Sequence, residues 1–187
     1  MLTAIRFMQQ PQPQPQPEGE GNGERWWGFD GNYVLVGHSA GAALAMSVCS
    51  SLADGLLGAG PAVVLPRAVL GAAGIYDYAA MLEGKGEEFR QVMAEIYRSA
   101  FGTAEKGRLD GLSPAKIAIR GVKEVMLYWS RDDGLVGEEQ VLAMEKCLKE
   151  TEGVDLRVRE VGGMSHEQMY ECGWPLADAI ESLMREL

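Results

Sequence analysis

The pentapeptide Gly37-His38-Ser39-Ala40-Gly41 constrains the fold more than any other stretch of this 187-residue chain. A compact apolar run, Tyr33-Val34-Leu35-Val36, precedes it and reads as a strand. Residues 40–53, AGAALAMSVCSSLA, follow it; they are apolar nearly all round, which predicts a buried helix. G-x-S-x-G between a strand and a helix is the setting of a nucleophile elbow, a serine on a sharp, strained turn whose flanking glycines let neighbouring backbone pass. Ser39 Oγ would then project at a helix N-terminus, where developing negative charge is favoured and the Ala40 N–H can donate to an oxyanion. Gly37, Ala40 and Gly41 are read with Ser39 as the elbow and oxyanion residues. An ordinary tight turn fits the five residues alone; the strand before and the helix after favour the elbow.

The rest of the chain alternates short β-rich runs with helical periodicity. Arg67–Ala72 and Glu124–Trp129 read as further strands, and Leu156–Val161 alternates as an edge strand would. Over 86–101, Phe89, Val92, Met93, Ile96, Tyr97 and Ala100 recur at amphipathic helical spacing. Residues 138–150 carry Glu138 and Glu139 first and Lys146 and Lys149 last, the order a helix dipole favours. A final helix is predicted from Pro175. Strand–helix alternation of this kind predicts an α/β fold, a mostly parallel sheet with helices on both faces. The opening differs: 1–9 reads as a short remnant helix, 10–25 as a disordered Pro/Gln/Gly-rich loop unable to bury apolar surface, and 26–187 as the structured core.

A nucleophilic serine needs a base, and the chain has two histidines. His38 adjoins Ser39, so the two side chains diverge and His38 reaches the hydroxyl poorly. His166 lies in the Gly162-Gly163-Met164-Ser165-His166-Glu167 loop after the last strand, at the same sheet edge as Ser39. The acid is sought after the preceding strand, where Asp132 and Asp133 both stand. Asp133 is preferred, with Asp132 left as a solvated or capping carboxylate. Ser39, Asp133 and His166 then follow the Ser…Asp…His chain order of α/β-hydrolases.

At this point GFDGNYVLVGHSAGAALAM, VLGAAGIYDYAAML, IYRSAFG…LSPAKI, SRDDGLVGEEQ and GGMSHEQ together resemble kynurenine formamidases (arylformamidases) of the fungal type. The similarity runs from about Trp27 to Gln168. GHSAG alone indicates the superfamily; the GIYD, AFG and SP segments point to formamidases. The family's S-x-x-D-x-L-V pattern aligns with Ser130, Asp133, Leu135 and Val136, and Gly134 departs from its usual acidic residue. The resemblance implies a cofactor-free serine hydrolase converting N-formyl-L-kynurenine to L-kynurenine and formate, in tryptophan catabolism toward NAD, often as a homodimer. Tyr76 and Asp77 of GIYD would line the substrate pocket or cap a turn. The family's upstream H-G-G-x-W loop supplies further oxyanion donors. This sequence has no HGG, and the residues before Ser39 leave no room for the strands that usually flank an elbow strand. The chain is therefore expected to be an N-terminally truncated α/β-hydrolase fold. A general carboxylesterase and a non-catalytic remnant acting as a binding module are the other readings.

Composition narrows the partners. With 27 acidic against 17 basic residues and a net charge of −10, nucleic acid and membrane surfaces are poor partners; the small-molecule substrate is what the resemblance implies. Cys49, Cys147 and Cys172 are odd in number and far apart, and two histidines cannot complete a Cys/His zinc cage, so no metal is expected. The first residues do not read as a signal peptide and no 18-residue apolar run occurs in the sequence, so a cytoplasmic location is the default expectation.

Overall fold

A computed structural model describes residues 33–53 and 64–185. The stretches expected as a remnant helix (1–9) and a disordered loop (10–25) lie outside the described residues, as do the first residues assigned to the core.

Four strands, β1 (Val34–His38), β2 (Ala68–Ala72), β3 (Glu124–Trp129) and β4 (Asp155–Glu160), form one sheet in the order β1-β2-β3-β4. Every pair is parallel, so all four carboxyl ends lie along one edge, where His38, Ala72, Tyr128 and Arg159 stand in register. Helix α1 (Ala40–Ala53) follows β1. The β2–β3 connection carries α2 (Tyr78–Glu83), α3 (Glu87–Phe101), α4 (Lys106–Asp110) and a 3-10 turn (Pro114–Lys116). Helix α5 (Glu138–Lys149) joins β3 to β4, and α6 (Gln168–Glu171) and α7 (Gly173–Met184) come last. Pro175 thus falls inside the first turn of α7, which begins slightly earlier than its sequence suggested; a first-turn proline forfeits no intrahelical bond.

The core follows from the period-two alternation of strand side chains. Val69, Val125, Leu127 and Trp129 face one way, under Ala42, Ala45, Met46 and Cys49 of α1 and Val141, Met144 and Leu148 of α5. Ala68, Leu70, Ala72, Met126 and Tyr128 face the other way, onto Met169 of α6 and Ala179 and Leu183 of α7. Both faces of β2 and β3 are therefore covered, the usual condition of a parallel sheet. Strand β4 has only exposed and half-buried positions and is, among the described residues, an edge, in keeping with its sequence pattern. Among the described residues β1 is the other outer strand.

Two helices are less buried than their sequences suggested. In α1 most of the described positions are buried or half-buried, as expected, but Leu44 is 51% exposed among the described residues. In α3 the expected stripe splits: Met93 and Tyr97 are buried, while Val92 and Ile96 face outward. The buried half of α3 packs with Ile75, Tyr78, Met81, Leu82, Leu109 and Val136. That cluster seats α2, α3 and α4 against the loop that follows β3, close to the carboxyl edge of the sheet.

Candidate active site

Ser39 stands between the end of β1 and the start of α1 with φ of +55°, a left-handed conformation that costs a non-glycine residue energy. The turn is held on all sides. Ser39 N–H continues the strand ladder by donating to Ala72 O at 2.9 Å, and Ser39 O accepts from the Ala42 N–H at 3.0 Å. Its neighbour in register, Ala73, also has positive φ (+45°) and donates to Tyr128 O at 2.8 Å. Two adjacent parallel strands thus end in the same strained turn. A Cβ on Gly37 would lie 2.3 Å from Gly41 O, so the elbow closes only with glycine there. Gly41 is different: beyond its own turn of α1, no atom of a described residue lies within 4 Å of its Cβ position. The Ala40 N–H, first in α1, meets no acceptor among the described residues and is an open donor at the helix N-terminus.

The other two predicted residues arrive from the ends of β3 and β4. Val161 N–H donates to Trp129 O at 2.8 Å, extending the ladder into the loop that carries His166. Asp133 Oδ2 accepts from His166 Nδ1 at 2.8 Å, and both residues are buried. A carboxylate only accepts, so the proton sits on Nδ1 and leaves Nε2 as the basic nitrogen. Asp133 Oδ1 accepts from the N–H groups of Leu135 (2.8 Å) and Val136 (2.9 Å). Burial alone would raise the Asp133 pKa; the hydrogen bonds from His166 and the two amides outweigh it and hold the carboxyl below its ordinary value. Ser39 Oγ makes no hydrogen bond among the described residues. Contacts of this kind commonly tighten only when substrate is bound.

Two neighbours of the pair make contacts whose partners the sequence did not specify. Asp132 is exposed, as expected of a solvated or capping carboxylate, and its Oδ2 accepts from Gly163 N–H at 2.7 Å, tying the loop after β3 to the loop after β4. His38 does turn away from Ser39, as adjacency dictates, and its Nε2 donates to His166 O at 3.0 Å. Its ring lies 4.5 Å from that of His166 and 4.8 Å from that of Tyr170. Burial and the neighbouring His166 lower the His38 pKa below the ordinary histidine value. Only knowledge of which loops meet at the sheet edge could have revealed either contact.

Of the two roles open to Tyr76 and Asp77, capping is the one seen among the described residues, where both side chains are buried. Tyr76 is fully buried in the core beneath α1 and α5. Asp77 caps α2 by accepting from Ala80 N–H at 3.0 Å and pairs with Lys116 at 2.9 Å. Gln140 of α5, also fully buried, accepts from the N–H groups of both residues at 2.8 Å. Ser113 Oγ accepts from Tyr78 N–H at 3.0 Å, and Ala115 N–H donates to Tyr76 O at 2.9 Å. The GIYD and SP segments therefore brace one another behind the site. No group of three or more His, Cys, Asp or Glu side chains able to hold a metal occurs among the described residues. No helix among them is long and apolar enough to cross a membrane.

A parallel sheet with helices on both faces and a strained serine turn at its carboxyl edge is the α/β-hydrolase fold, and solved structures agree. Esterase B from Lactobacillus rhamnosis superimposes with a TM-score of 0.62 at 18% identity, over 86% of this chain and 56% of its own. An acetyl ester-xyloside bifunctional hydrolase from Caldicellulosiruptor lactoaceticus gives 0.56 at 17% identity, over 81% and 53%. In sequence, the chain is 34% identical over 132 residues to kynurenine formamidase avaC of Aspergillus versicolor, a match spanning 61% of this chain and 45% of that protein. No family model matches the chain.

Proposed function

We propose that this chain carries the site of a serine hydrolase of the kynurenine formamidase type, cleaving N-formyl-L-kynurenine to L-kynurenine and formate. The observation that carries the reading is the buried His166–Asp133 pair at the sheet edge where the left-handed Ser39 also stands. The formamidase relative supports the choice of substrate. Ser39 Oγ attacks the formyl carbon while His166 Nε2 takes its proton, and the Ala40 N–H donates to the oxyanion. The tetrahedral adduct collapses by breaking the C–N bond, and His166 returns the proton to the departing aryl amine. Water then gives a proton to His166, attacks the formyl ester and releases formate, and the proton passes back to Ser39. Asp133 keeps the His166 tautomer fixed and offsets the charge of the imidazolium.

The test is release of kynurenine from N-formyl-L-kynurenine by the chain and by Ser39→Ala. Loss of at least roughly a thousandfold in kcat/KM is expected for the variant. Turnover that survives Ser39→Ala would overturn the serine mechanism. Faster turnover of short acyl esters than of the formamide would move the reading to a general carboxylesterase. Kynurenine binding without turnover, indifferent to Ser39→Ala, would make the chain a binding module.

A further inference from the structure

Lys85, between α2 and α3, spends its charge in an unusual way. Lys106, Lys116 and Lys149 pair with the carboxylates of Glu83, Asp77 and Glu145. No carboxylate of a described residue pairs with Lys85; its Nζ donates to two backbone carbonyls, Gly134 O and Leu135 O, each at 2.5 Å. These carbonyls belong to the two peptide units whose N–H ends, on Leu135 and Val136, donate to Asp133 Oδ1 at 2.8 and 2.9 Å. Each unit therefore has its oxygen on the ammonium and its hydrogen on the carboxylate. The other carboxylate oxygen takes His166 Nδ1 at 2.8 Å.

We propose that Lys85 is a positioning residue for Asp133 and His166, acting through the 134–135 and 135–136 peptide groups. This rests on the reading of that pair as catalytic. A peptide dipole held between a cation and an anion lies along their field, so the charge polarises both N–H donors and fixes their direction. Asp133 is thereby oriented before His166 has to become an imidazolium, which is where preorganisation acts. The loop needs this help. Gly134 is exposed and unhindered, so without the ammonium its peptide is free to turn its oxygen to water and swing its N–H partner off Asp133.

The test compares Lys85→Met and Lys85→Arg with the unmodified chain, by N-formyl-L-kynurenine kinetics and by NMR of the ring protons of the two histidines, assigned with His38→Gln. For Lys85→Met we expect kcat to fall roughly tenfold with KM within about twofold. The His166 Nδ1 proton should exchange with water faster, and the Leu135 and Val136 amide protons should move upfield. Lys85→Arg, which retains a cation with several donors, should restore all three. If the Met variant does not fold, Lys85→Gln, a donor without the charge, should give the same losses. A Met or Gln variant that melts at lower temperature yet keeps kcat, the Nδ1 proton exchange and the amide shifts would reduce Lys85 to a loop staple and overturn the proposal. Asp133→Asn separates the two ideas. If it leaves turnover intact, the catalytic reading has failed, whereas an inactive Asp133→Asn beside an unaffected Lys85→Met means that the relay alone has failed.

Discussion

At the scale of single residues, the two glycines of the elbow look alike in the sequence and differ in space. A methyl on Gly37 would meet the Gly41 carbonyl at 2.3 Å, a backbone atom that cannot move without opening the turn. Gly41 lies in the first turn of α1 and, beyond that turn, no described atom is near its Cβ position. Gly37→Ala should therefore displace Ser39 and destabilise the fold by about 3 kcal/mol or more, as severe overpacking does. Gly41→Ala should hold or gain up to about 1 kcal/mol, because alanine is the better helix former. Thermal melts of the two variants check this, and equal losses would show that both glycines are steric. The steric demand at Gly37 was legible from the motif, whose strained turn needs a residue without Cβ. The freedom at Gly41 was not, because it depends on what packs over the helix. The same divide separates Asp133 from Asp132. The S-x-x-D-x-L-V spacing located Asp133, but the Asp132 bond to Gly163 joins loops 31 residues apart in the chain.

At the scale of elements, strands and long helices were legible because each carries a full apolar period. The short helices α2, α4 and α6 were not, since four to six residues give no period and their positions are set by contacts from elsewhere. Helix α2 is held by its cap: Asp77 accepts from Ala80 N–H and pairs with Lys116 of the 3-10 turn. GIYD thus holds together the connection between β2 and β3, with Asp77 in the capping role of the two that the sequence left open. Asp77→Ala should lower stability by about 1–2 kcal/mol through the lost cap, while Asp77→Asn, which can still accept, should lose less. Denaturant unfolding of both variants measures this, and KM should stay within about twofold because both Asp77 carboxylate oxygens are engaged, one by the Ala80 N–H and one by Lys116. A large rise in KM with unchanged stability would return Asp77 to the substrate site.

At the scale of the whole molecule, the site writes its own pH dependence into the fold. His38 has a folded pKa below the ordinary 6.5, first because burial removes water from its imidazolium and then because His166 lies beside it. The unfolded chain therefore takes up this proton first as pH falls. Stability linked to His38 is complete above about 6.5 and declines as pH drops toward the folded value. Asp133 and Asp77 also have folded values below the ordinary 3.8, in each case because hydrogen bonds and a facing cation or imidazole outweigh burial. Their contribution is complete above the ordinary carboxylate range and is lost only in stronger acid. Two separate losses should therefore appear when urea midpoints are measured from pH 8 to pH 3. The first begins just below neutrality, at a histidine that performs none of the proposed proton transfers. His38→Gln, which cannot titrate, should flatten the first loss and leave the acid one in place. An unchanged first slope in that variant would assign it to another group and remove His38 from the account of how the His166 loop is held.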